Sequence, residues 1–146
     1  MNQHFAEKFK IKELSLFESE YWIVSLRPQQ PTLGSLVLSA KGDCTVFSDL
    51  SKEETEELSM VFKLIEMKLK QVFDYDKINY MALMMIDNHV HFHIIPRYSA
   101  SRIFGDHEYI DKTWPKPPDI LLNIVEAAAL NNLYDELKKR FYEANN

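Results

Sequence analysis

The sequence predicts an α+β fold: an antiparallel β-sheet of about five strands with a central helix and a C-terminal helix. Three observations carry this. Short β-rich runs fill the first third of the chain. One long amphipathic run with a helix-start signal follows at 51–73. Two more β-rich runs come directly after it. Strands, then a helix, then strands again describe a sheet covered on one side.

Each element has a local cause. Leu14–Phe17 and Tyr21–Leu26 are short and rich in β-branched and aromatic residues, with Glu18–Glu20 as the turn between them. Pro28 and Pro31 break the second run, and Gly34 opens a third at Ser35–Ser39. Ser51-Lys52-Glu53-Glu54 has the form of a capping box, in which Ser51 accepts from the Glu54 amide and Glu54 reaches back. Leu58, Val61, Phe62, Ile65, Leu69, Val72 and Phe73 recur at helical spacing, so the helix ends near Phe73. Strands are predicted at Ile78–Met85 and His89–Arg97, with Asp87-Asn88 as a tight turn. Asp119 is the predicted cap of the last helix, whose apolar stripe runs from Ile120 to Phe141, with Asn131-Asn132 as a possible break.

Length and composition narrow the function. At 146 residues the chain suits one domain, read here as 1–146 with a core of about 14–98 and a C-terminal extension of 99–146. The net charge of −5 argues against a surface built for a nucleic-acid polymer. No apolar run is long enough to span a membrane, and the first residues have no signal-peptide core, so a cytoplasmic location is expected. Cys44 is the single cysteine, which excludes an internal disulfide. With three glycines there is no P-loop and no dinucleotide fingerprint.

The informative segment is His89-Val90-His91-Phe92-His93-Ile94-Ile95-Pro96-Arg97. Three histidines at a spacing of two lie on one face of a strand, with Cα atoms about 6.5–7 Å apart. Solvent-facing strand positions ordinarily take Thr, Lys, Glu or Arg, so three imidazoles in register point to imidazole chemistry. Two chemistries compete. A metal could be held by His89 and His91 with a further ligand from His4, His107 or Cys44. Alternatively, a neutral ring nitrogen attacks phosphorus and forms a phosphoramidate that a second step resolves. Arg97 continues the register of the histidines, and its guanidinium matches phosphate oxygens, as does that of Arg102.

The pattern His-φ-His-φ-His-φ-φ, with φ apolar, resembles the signature of the histidine-triad (HIT) superfamily of nucleotide hydrolases and transferases. The resemblance extends upstream through Trp22–Thr32, Leu36–Leu38 and Asp49–Glu54, covering about Phe17 to Arg97. It implies that His91 is the nucleophile at the α-phosphorus of a nucleotide-like substrate. It implies that the His89 backbone carbonyl fixes the His91 tautomer and that His93 contacts phosphate oxygens. It implies hydrolysis or transfer of a dinucleoside polyphosphate, an adenylylated amine or a similar conjugate. No cofactor is needed for the covalent steps, and a homodimer is common in the family. Asn88, Arg97, Ser25 and Ser35 are the substrate-binding candidates.

The chain departs from the family pattern in four places. No histidine stands in Pro31-Thr32-Leu33-Gly34-Ser35, where many members carry one. The Gly-rich loop with Gln and Ser or Thr before the triad is replaced by Met84-Met85-Ile86-Asp87-Asn88. Ser25 stands where an Asp or Asn often binds ribose, and methionines replace an Asn before the loop. These changes keep two other functions in view: a nucleotide-binding regulatory protein with little catalysis, and a metal-dependent hydrolase.

Overall fold

The structure is a computed structural model and describes residues 1–143. Its main sheet has five strands: β1 (Ser15–Glu18), β2 (Trp22–Leu26), β3 (Leu36–Ala40), β4 (Lys77–Met81) and β5 (His91–Arg97). Their spatial order is β1-β2-β3-β5-β4, and every neighbouring pair is antiparallel.

Side chains alternate across the sheet, so each strand serves two layers. Trp22, Val24, Leu26, Leu36, Leu38 and Ile94 face one way and pack with helices α2 (Lys52–Phe73) and α3 (Ala127–Tyr142) in the main core. Ile23 and Val37 face the other way and pack with Phe5, Phe9 and Ile11. Phe5 comes from α1 (Gln3–Lys8), a short helix capped by the Asn2 side chain.

Helix α2 starts as the sequence predicts. Ser51 Oγ accepts from the Glu54 amide at 3.1 Å, and Glu54 accepts from the Ser51 amide at 2.9 Å. It ends at Asp74, which takes the left-handed conformation. Gly34 has φ +85°, and a Cβ there would lie 2.6 Å from the Phe73 ring. Only glycine lets the chain turn into β3 against that ring.

Three details differ from the sequence reading. The strand beginning near Ile78 stops at Met81, and a nine-residue connection, 82–90, replaces the tight turn at Asp87-Asn88. Met84 has φ +41°, which no continuing strand tolerates. Val90 bonds instead to Cys44 and Ala40, so β5 begins at His91 rather than His89. The last helix begins at Ala127, not after Asp119. Asp119 caps only a local turn through the Leu121 amide, and the Ile124 amide is held by the Gln30 carbonyl, which keeps 120–126 out of a helix. Asn131 and Asn132 lie inside α3 without breaking it. The hairpin β6 (Arg102–Phe104) and β7 (His107–Tyr109) turns at Gly105, φ +60°. Among the described residues no helix is long and apolar enough to cross a membrane.

Candidate active site

The three histidine rings lie on the same side of the sheet, beneath α1. The Phe5 ring sits 4.9 Å from that of His89 and 4.8 Å from that of His91; Phe9 lies 5.8 Å from His93. All three imidazoles are buried, with His91 2% exposed. Burial disfavours a charged ring, and it lowers the pKa of His89 and His91 below the ordinary value. His93 is pushed down to about 3, by burial first and by the nearby Arg27 charge second.

Hydrogen bonds assign the protons. His91 Nδ1 lies 2.5 Å from the His89 carbonyl, which can only accept, so Nδ1 carries the hydrogen. Its Nε2 therefore holds a lone pair. Arg27 Nε donates to His93 Nδ1 at 3.2 Å, which leaves the hydrogen of His93 on Nε2. His93 Nε2 lies 3.3 Å from His91 Nε2 and donates to it. His89 Nε2 donates to the Ala40 carbonyl at 2.6 Å. The whole row is thus neutral and held in one tautomeric pattern.

His91 and His93 open onto a cavity of about 230 Å³. Lys8, Phe9, Arg27, Gln29, the 83–87 segment, Ile120 and Leu121 complete its wall. Lys8 pairs with Asp87 at 2.6 Å across it. A larger hollow of about 740 Å³ lies along β4 against Trp114–Pro118, and it contains no histidine. Ser39 pairs with His91 across the ladder, and its buried Oγ has no hydrogen-bond partner among the described residues.

The other sequence candidates lie elsewhere. Asn88 is exposed and does not line the cavity. Ser25 Oγ donates to the Ile11 carbonyl at 3.0 Å, and Ser35 Oγ donates to the Thr32 carbonyl at 2.8 Å. Arg97 is committed to a buried ion pair with Asp111 at 2.7 Å and also bonds Asn79, Thr113 and the Lys116 carbonyl. It clamps the 111–116 segment to the sheet and leaves no edge for phosphate. Arg102 bonds carbonyls at Phe73 and Asp74. His4 and His107 are exposed, and His107 belongs to the β6–β7 hairpin. Among the described residues no three His, Cys, Asp or Glu side chains gather as a metal site.

Sequence reasoning missed Arg27, Lys8, Phe5 and Phe9. Parity puts Ile23, Ser25 and Arg27 on one face, but only the β2–β3–β5 register, which the structure supplies, carries that face to His93.

A five-stranded antiparallel sheet bearing a buried His-x-His-x-His row, with its middle ring bonded to the preceding carbonyl, defines a histidine-triad protein. The HIT domain family matches residues 9–100, and the chain belongs to that family, which falls within the nucleotide-binding hydrolases and transferases. Solved structures share the fold. A histidine triad protein from Bradyrhizobium japonicum superposes with a TM-score of 0.75 at 19% identity, covering 97% of each chain. A hypothetical histidine triad nucleotide-binding protein from Sulfolobus tokodaii gives 0.66 at 18% identity, over 88% of this chain and 83% of its own. A zinc-bound histidine triad family protein from Mycobacterium smegmatis gives 0.59 at 16%, over 88% and 83%. No curated protein sequence matches the chain.

Proposed function

We propose that the protein hydrolyses or transfers the nucleotidyl group of a nucleoside 5′-phosphate derivative through a covalent intermediate on His91. The observation that carries this reading is the His91 ring itself: Nδ1–H is spent on the His89 carbonyl, and the Nε2 lone pair accepts from His93 Nε2–H at the wall of a cavity that His91, His93 and Arg27 line together. A ring locked this way is a neutral nucleophile at neutral pH, because burial opposes protonation and lowers its pKa below the ordinary value.

In the first step His91 Nε2 bonds to the α-phosphorus and the bond from phosphorus to the leaving oxygen or nitrogen breaks. The leaving group departs with the electron pair and takes a proton from solvent. His93 Nε2–H, which donates to His91 Nε2, turns to a phosphoryl oxygen as charge builds there. In the second step water attacks phosphorus, loses a proton, and the N–P bond returns its pair to Nε2. The cavity is smaller than the roughly 300–1,000 Å³ of usual ligand pockets. It suits the reacting phosphate, with the rest of the substrate lying over the exposed apolar Met85, Ile86 and Leu121.

The donor set fits this chemistry better than a resident metal. His89 Nε2 and His91 Nδ1 are already bonded to carbonyls, and no third side-chain ligand joins them among the described residues. A binding protein with little turnover is the second reading, favoured by the cover of Phe5 and Phe9 over the rings. Dinucleoside polyphosphates and adenylylated amines, incubated with the wild type and His91→Gly, decide between the two. Turnover that falls at least a thousandfold in His91→Gly, with an unchanged circular dichroism spectrum, supports catalysis. Tight binding of the panel without turnover supports the binding protein. Stoichiometric zinc together with loss of turnover on chelation would displace both.

A further inference from the structure

The molecule buries two arginines. Arg97 is 4% exposed and is matched by the Asp111 carboxylate and three further acceptors. Arg27 is 5% exposed and is matched by no carboxylate among the described residues. Its Nε donates to His93 and its Nη1 to the Gln29 carbonyl at 2.9 Å, while Nη2 has no hydrogen-bond partner among the described residues. The side chain borders the cavity that His91 and His93 also border. The carboxylate in that wall, Asp87, is engaged by Lys8. A buried guanidinium without a counter-charge is costly, and Arg27 stands just after β2, which ends at Leu26. The cost is recovered if an anion enters the cavity.

We infer that Arg27 is the phosphate anchor of this site and at the same time the residue that sets the His93 tautomer. Its free Nη2 edge takes a non-bridging phosphoryl oxygen. Its Nε holds His93 with Nδ1 as acceptor and Nε2–H as donor, so that donor is aimed where the nucleophile and the phosphoryl group meet. This replaces the Gly, Gln and Ser loop that the chain lacks between Met84 and Asn88. The burial that lowers the Arg27 pKa to about 10 still leaves it charged at neutral pH. The ligand class is a phosphate ester or anhydride, recognised first through its charge. The inference rests on the nucleotidyl-transfer reading for the reaction it serves, but its test is binding and tautomer, not turnover.

Inorganic pyrophosphate and AMP are titrated calorimetrically into the wild type, Arg27→Gln and Arg27→Lys, and the His93 tautomer is read from nitrogen-15 NMR of the imidazoles. The wild type is expected to bind both anions and to show His93 protonated on Nε2 alone. Arg27→Gln is expected to bind both at least tenfold more weakly and to show a mixed His93 tautomer. Arg27→Lys, which keeps the charge without the fork, is expected to fall between them. Equal anion affinity in Arg27→Gln and wild type overturns the anchor, and so does a wild type that binds neither anion. A wild-type His93 protonated on Nδ1 overturns the tautomer role. If Arg27→Gln fails to fold, the wild type still decides: pyrophosphate that leaves the His93 resonances unmoved overturns the inference. Should no nucleotide turn over, the reaction fails and the anchor is judged by the binding data alone.

Discussion

Strand β5 offers two buried faces that behave as different materials. On one, Phe92 stacks on Phe47 at 5.5 Å and meets Phe62 edge-on, and Ile94 is fully buried in the main core under α2 and α3. On the other, His91 and His93 are almost as buried, but their neighbours are Phe5, Phe9 and one another. The first face is held by apolar area removed from water. The second consists of polar rings that burial alone would destabilise, and each is kept by one or two directed hydrogen bonds. Burial on the helix side stabilises the fold. Burial on the histidine side fixes where protons sit.

Substitutions on the two faces sharpen this contrast. The largest effect on stability is expected at Ile94. Ile94→Ala leaves a cavity in the main core and costs about 2–5 kcal/mol in urea unfolding, with the pH dependence of turnover unchanged. Phe5→Ala is next. It uncovers His89 and His91, costs less than Ile94→Ala because α1 is only six residues long, and shifts their pKa values upward. The sign follows from linkage. The folded histidines titrate below the ordinary 6.5 and the unfolded ones near it. The unfolded chain therefore binds more protons below pH 6.5, and wild-type stability falls as pH drops from 6.5 toward 3. In Phe5→Ala that loss is smaller, and the acid limb of kcat/KM moves up toward 6.5. An acid limb that stays in place would show that Phe5 does not set the burial of the rings. The smallest effect belongs to Ser39→Ala. It removes a hydroxyl with no hydrogen-bond partner among the described residues and is expected to leave stability unchanged or raise it by up to about 1 kcal/mol.

Much of this contrast was legible in the sequence. The capping box and apolar spacing of 51–73 fixed α2, because a helix of 22 residues repeats its pattern many times. The His-x-His-x-His spacing placed the rings on one side, because a strand alternates with period two. The His89 carbonyl and the His91 ring meet as the family resemblance implies. What escaped depends on distance in space. Helix α1 is too short to show periodicity, and Phe5 and Phe9 acquire meaning only when they land on the histidines. The run from Met81 to Ile86 is apolar enough to imitate a strand, yet the chain leaves the sheet after Met81. Arg97 shares the register of the histidines, but a carboxylate 14 residues away claims it. Arg27 stands next to Pro28 in what reads as a strand break, and only the pairing of β2, β3 and β5 brings it to His93.

The stereochemical course at phosphorus tests the covalent step most directly. A substrate from the active panel, made chiral at the α-phosphorus with sulfur, is hydrolysed in oxygen-18 water and the product configuration is read by phosphorus-31 NMR. Two successive in-line displacements, the first by His91 Nε2 and the second by water, give net retention. Net inversion would mean that water attacks phosphorus in a single step, and His91 would then not be the nucleophile.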